Sequence, residues 1–115
     1  MNVLELAAEA VDGPRQEKYG SPRDNHTTTM QLYDILLTRF IAGRWHASDL
    51  EEQWIEPEDQ QAIMTCLFNI CQKLSRFAWS PDYKDHLVDI AGYVRNIEII
   101  LDARPEPEVE YEVRV

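Results

Sequence analysis

Apolar residues recur along this chain at helical spacing. In residues 3–11, Val3, Leu4, Leu6, Ala7, Ala10 and Val11 predict a short helix that the Gly13-Pro14 pair ends. From Thr27 to Ile41, the run Met30, Leu32, Tyr33, Leu36, Leu37, Phe40 and Ile41 predicts the first long helix, with Gly43 as its stop. Pro57 suits a first helical position and Glu58 and Asp59 suit the positive end of a helix dipole, so a second long helix runs from there to about Ala78. A Trp79-Ser80-Pro81 break turns the chain. Asp82 to about Ala103 then reads as a third long helix, capped by Asp82, with Leu87, Val88, Ile90, Ala91, Val94, Ile97, Ile100 and Leu101 as its buried side.

The connections carry their own signals. Pro14 to His26 holds two prolines and a glycine and predicts an irregular loop, closed by a cap at Asp24 or Asn25. Arg44 to Glu56 is acidic and contains Trp45 and Trp54, expected to lie as lids on the helices. After Pro105, Val109, Tyr111, Val113 and Val115 alternate with acids, as in a loose tail or an edge strand docked on a partner subunit. The expected fold is therefore all-α: an antiparallel bundle of three long helices plus a short N-terminal helix, with residues 1–103 as one domain and 104–115 as an acidic tail.

Charge narrows the partners. A formal net charge of −10 opposes binding to a nucleic-acid backbone, which depends on Lys and Arg displacing counterions. A free nucleotide is not excluded, because a few local cations and a metal ion can hold it. The acidic N-terminal residues do not resemble a secretory signal and no apolar run is long enough to span a membrane, so a cytoplasmic protein without membrane contact is expected. Cys66 and Cys71 point about 140° apart on one helix and are expected to be buried and reduced.

The chemistry concentrates between Lys73 and Tyr93. Asn69, Lys73 and Arg76 share one helical face, and Asp82, Asp85 and Asp89 share a face of the next helix. In an antiparallel pair, the two stripes meet. They form either an ion-pair seam that fixes register or a site where cations and carboxylates receive a ligand. The loop residues Arg15, Glu17 and Asn25 form a second candidate element, with Gly20 permitting a sharp turn and Tyr19 packing into the bundle or stacking on a base. Tyr93 carries the same ambiguity as Tyr19. Gly92 suggests a close approach of another backbone, and His46 and His86 are expected at the surface or in capping roles.

Two strings carry a resemblance. Arg15, Glu17, Tyr19, Gly20, Pro22 and Asn25 follow R-x-E-x-Y-G-x-P-x-x-N, and Lys73 and Arg76 precede Asp85, Val88, Asp89, Ile90, Ala91, Gly92 and Tyr93 in the pattern K-x-x-R then D-x-x-V-D-I-A-G-Y. On these residues the chain resembles a small protein family common in tailed bacteriophages and prophages. In helix order and in its acid-bearing last helix, that family is distantly similar to the all-α nucleoside triphosphate pyrophosphohydrolases of the MazG and dimeric dUTPase type.

This resemblance implies a magnesium-dependent nucleotide hydrolase. Asp85 and Asp89 would be the metal ligands, Glu17 and Asp89 the catalytic pair, and Arg15, Asn25, Lys73, Arg76 and Tyr93 the substrate-binding residues. The chain departs from the MazG-type pattern in lacking the E-E-x-x-E motif: Thr27–Ile41 offers only Asp34, and Glu51-Glu52 lies in a linker. The expectation is a phage-type nucleotide-binding protein, a possible magnesium-dependent pyrophosphohydrolase, acting as a homo-oligomer. The alternative is a non-catalytic helical protein that presents Trp45, Trp54 or the Val109–Val115 tail to a host or phage protein.

Overall fold

Ser21-Pro22 begins the first long helix five residues before Thr27. Proline at the first helical position needs no donor there, and the Ser21 hydroxyl accepts the backbone N–H of Asp24 at 3.2 Å. In this computed structural model, residues 1–12, 15–43, 45 and 55–103 are described, Arg15 and Gln16 by backbone alone. They form α1 (Val3–Asp12), the single-turn α2 (Arg15–Tyr19), α3 (Pro22–Ala42), α4 (Pro57–Trp79) and α5 (Asp85–Asp102). The segment expected as an irregular loop is thus mostly helical, and Ser21 takes the capping role assigned to Asp24 or Asn25. Proline and glycine mark only the joints between α1, α2 and α3.

Two other boundaries differ in the same way. Gly43 ends α3, its N–H donating to the Phe40 carbonyl. Asp82 does not cap α5: residues 81–84 form a turn, and the helix starts at Asp85 after Lys84, which makes no side-chain cap bond. Ser80 to Tyr83 instead closes a turn, the Tyr83 N–H donating to the Ser80 carbonyl at 3.1 Å, and the helix begins after it.

α4 is the central element, packed against both α3 and α5, while α3 and α5 do not touch. The pairs run antiparallel: Ser75 reaches Asn25, the Tyr33 and Phe68 rings meet edge-on at 5.1 Å, and Lys73 meets Asp89. The expected antiparallel all-α arrangement holds among the described residues, as a layer of three long helices with α4 in the middle. Its buried apolar residues Ile63, Met64, Cys66 and Cys71 make the core. Both cysteines are free, and burial pushes the Cys71 thiol up.

The layer leaves apolar faces uncovered. On α5, Leu87, Val88 and Val94 were expected inside but are exposed, Val88 to 67%, whereas Ile90, Ile97, Ile100 and Leu101 are half-buried. On α3, Ile35 and Ile41 are exposed. Gly92 has nothing among the described residues within 4 Å of where a Cβ would stand, so no close backbone approach explains it there. Among the described residues, α1 buries no residue and packs on α2 alone of the helices. Trp45 lies half-buried on Phe40, as a lid should, and Gln60 Nε2 holds its carbonyl at 2.7 Å. Trp54, Glu51, Glu52, His46 and the 104–115 tail lie outside the described residues.

Candidate functional site

The joint between α2 and α3 is held against the end of α4. Gly20 takes a positive φ of 78°, and a Cβ there would stand 3.2 Å from the Trp79 ring. Trp79 Nε1 donates to the Glu17 carbonyl at 3.1 Å, and the Ser80 hydroxyl donates to the same oxygen at 3.4 Å. Tryptophan at the end of α4 therefore both fills the space glycine leaves and ties down α2.

This latch places Tyr19 over Arg76, with the guanidinium carbon 4.4 Å from the ring centre. Beside them, Val11, Tyr19, Gly20, Pro22, Asn25, His26 and Arg76 line a pocket of about 220 Å³. Its walls are mostly apolar. Two of its polar groups are deeply placed, Asn25 at 6% and Arg76 at 8% exposure. Asn25 is fixed from behind: its carbonyl accepts the Thr29 hydroxyl at 2.7 Å and the Ser75 hydroxyl at 3.2 Å. Its side-chain oxygen Oδ1 is buried and has no hydrogen-bond partner among the described residues.

Behind Tyr19 stands His86, expected at the surface and found 1% exposed. Its ring centre is 5.2 Å from that of Tyr19 and 4.9 Å from that of Tyr83, and its Nε2 is also without a hydrogen-bond partner among the described residues. Burial lowers its pKa, and the charges of Lys73 and Arg76 lower it further against the opposing pull of Asp89 and Asp85. Tyr83 shifts upward: Asp85 accepts a hydrogen bond from the phenol and adds its negative charge. Lys18 Nζ lies 4.7 Å from the centre of the Tyr83 ring. The burial of His86 is tertiary in origin, since α2, α4 and α5 together enclose it. The only local hint was its placement three residues after Tyr83.

The residues singled out in the sequence separate into groups. Asn25 and Arg76 share the pocket. Lys73, one turn before Arg76, instead pairs with Asp89 at 2.9 Å, so part of the expected ion-pair seam exists. Asp85 stands beside Tyr83, and Glu17 is exposed, holding α4 through its backbone carbonyl. Tyr93 is half-buried on α5, and the Arg15 side chain is not described. Among the described residues, no group of three or more His, Cys, Asp or Glu is placed to hold a metal ion. None of the described helices is long and apolar enough to cross a membrane.

Comparison with known proteins places the chain. The model of a family described as a domain of unknown function, DUF6378, matches residues 2–99, and the chain belongs to that family. It is similar to the gene 55 protein of Mycobacterium phage L5, 31% identical over 98 residues that cover 85% of this chain and 51% of that protein. The chain thus spans about half the length of this relative. The two findings support a family of phage proteins. No solved structure matches.

Proposed function

We propose that this member of the DUF6378 family binds a nucleotide in the pocket between Tyr19, Asn25 and Arg76, and acts in the host cytoplasm as a phage-type protein. The observation that carries the reading is the convergence of a buried amide and a buried guanidinium on one small, mainly apolar cavity. Few polar groups in an apolar wall are what a small-molecule site offers, and its volume is below the roughly 300–1,000 Å³ of sites that enclose a drug-sized ligand. It encloses one group of the ligand and leaves the rest at the mouth, where His26 is exposed.

The pyrophosphohydrolase chemistry implied by the MazG-like resemblance needs a carboxylate cage for magnesium, with its hard oxygen ligands. Asp85 and Asp89 fit that role poorly, because Lys73 already engages Asp89 and no third acid joins them among the described residues. The proposed function is accordingly binding, and no hydrolytic step is built on the metal. Calorimetric titration of the full chain with nucleoside mono- and triphosphates, with and without magnesium, tests it. Saturable binding of one nucleotide per chain that is lost in Arg76→Ala is expected, and absence of heat with every nucleotide overturns the reading.

A second reading rests on a separate observation. The uncovered residues Ile35 and Ile41 of α3 and Val88 and Val94 of α5 are apolar surface of the kind that partners cover. In that reading the chain is an interaction protein or a homo-oligomer, and sedimentation measures it directly. A species of 13.4 kDa only would remove the oligomer.

A further inference from the structure

The outer side of α5 is a continuous apolar row. At about 100° per residue, Leu87, Val88, Ala91 and Val94 fall within an arc of about 120°, and all four are exposed. On α3 the exposed Ile35 instead shares its side with Thr28, Gln31 and Thr38. A lone apolar residue is ordinary on a surface, whereas a contiguous row marks a contact. Gly92, next to Ala91, has open space among the described residues where a Cβ would stand. Glycine weakens the interior of a helix, and what it gives in return is room for another backbone to come close.

The ends of the row carry opposite charge. Within the same arc Lys84 precedes the apolar residues and Glu98 and Asp102 follow them, with Arg95 paired to Glu98. Two cations and two carboxylates balance on this side of a chain whose formal net charge is −10, so here two copies can meet without the repulsion of their acidic surfaces. Deepening the homo-oligomer reading above, we infer that two copies of the chain pair through α5, antiparallel about a two-fold axis at Ala91. Val88 and Val94 stand three residues to either side of that axis and Lys84 and Glu98 seven, so Val88 packs on Val94 of the partner subunit and Lys84 meets Glu98 of the partner subunit. A parallel pairing would set like charges opposite each other, which excludes it. The result is an apolar centre with a charged rim, closed by symmetry.

Sedimentation of the full chain and carbodiimide cross-linking read by mass spectrometry test this together. The wild type is expected to sediment at twice the 13.4 kDa of one chain. Val88→Glu, an exposed change with folding checked by circular dichroism, should weaken the dimer at least about tenfold, because symmetry buries the new charge twice. Glu98 lies fourteen residues beyond Lys84, about 21 Å along the helix, so a zero-length cross-link between them forms only between copies. That cross-link is expected in the wild type and not in Val88→Glu. A dimer that persists in Val88→Glu without the Lys84 to Glu98 cross-link overturns the α5 face and leaves the oligomer standing. A wild type that is monomeric overturns both and leaves the row to a different protein.

Discussion

The Arg76 guanidinium lies 4.4 Å from the centre of the Tyr19 ring, and the ring of the buried His86 packs on the same tyrosine with centroids 5.2 Å apart. A short helix from the N-terminal region thus reaches the buried cation of α4 through one aromatic side chain. Tyr19→Leu should destabilise the chain by about 1–2 kcal/mol, because the stacking of a largely desolvated guanidinium is lost, while Tyr19→Phe should change stability far less. Urea denaturation of the three proteins measures the difference.

Gly20 provides a stricter test of the latch. Its φ of 78° and the 3.2 Å approach of Trp79 leave a methyl group neither a relaxed backbone nor room. Gly20→Ala should lower stability by about 1–2 kcal/mol from the backbone alone, with some addition from the displaced indole. The near-ultraviolet circular dichroism of tryptophan should change with it, and an unchanged spectrum at unchanged melting temperature would contradict the contact.

The His86 environment predicts a pH dependence of known sign. Its pKa in the fold is lowered, first by burial and then by Lys73 and Arg76, with Asp89 and Asp85 opposing. Tyr19 and Tyr83 are the remaining titratable neighbours. The unfolded chain, where histidine titrates near 6.5, then binds a proton that the folded chain refuses. Stability is therefore full above about pH 6.5 and is lost as the pH falls below it toward the folded pKa. Melting temperature measured between pH 7.5 and 5.5 should fall in the wild type and fall less in His86→Gln; parallel curves would show that His86 is not the group responsible.

The Lys73–Asp89 pair is half in solvent on its carboxylate side, with Asp89 at 45% exposure. A double-mutant cycle with Lys73→Met and Asp89→Asn should yield a coupling of about 0.2–1 kcal/mol, reduced by salt. Neither change should abolish nucleotide binding. Abolition by Asp89→Asn with stability intact would restore the carboxylate to the ligand site.

Much of the fold is legible in the residues. α1, α4 and the body of α5 follow from apolar spacing at helical period, and Pro57 and Gly43 mark ends that the structure keeps. What escaped depends on contacts between distant segments. α2 is a single turn flanked by breakers, too short to be stable alone, and the Trp79 and Ser80 bonds to Glu17 hold it. The Ser21-Pro22 start, with Asp24 three residues on, was a cap signal overshadowed by the reading of proline as a loop marker. Among the described residues α4 is the one long helix packed on α5, and Val88 and Val94 lie away from it.

The candidate site was half visible. Asn25 and Arg76 stand out as polar residues within specific motifs, but their meeting in one pocket requires α3 and α4 to run antiparallel with Ser75 against Asn25. Lys73 and Asp89 were read either as part of an ion-pair seam or as serving one ligand, and they pair with each other. A charge stripe on a helix specifies a direction, and the depth at which each side chain ends is set by the partner helix. Arg76 turns inward under Tyr19, while Lys73, one turn away, meets the α5 carboxylate near the surface.

The most direct measurement is a crystal structure of the chain soaked with nucleoside monophosphates. Density for the nucleotide between Tyr19, Asn25 and Arg76 is the predicted result. A nucleotide bound elsewhere, or held by Asp85 and Asp89 with the Tyr19 pocket empty, would contradict it.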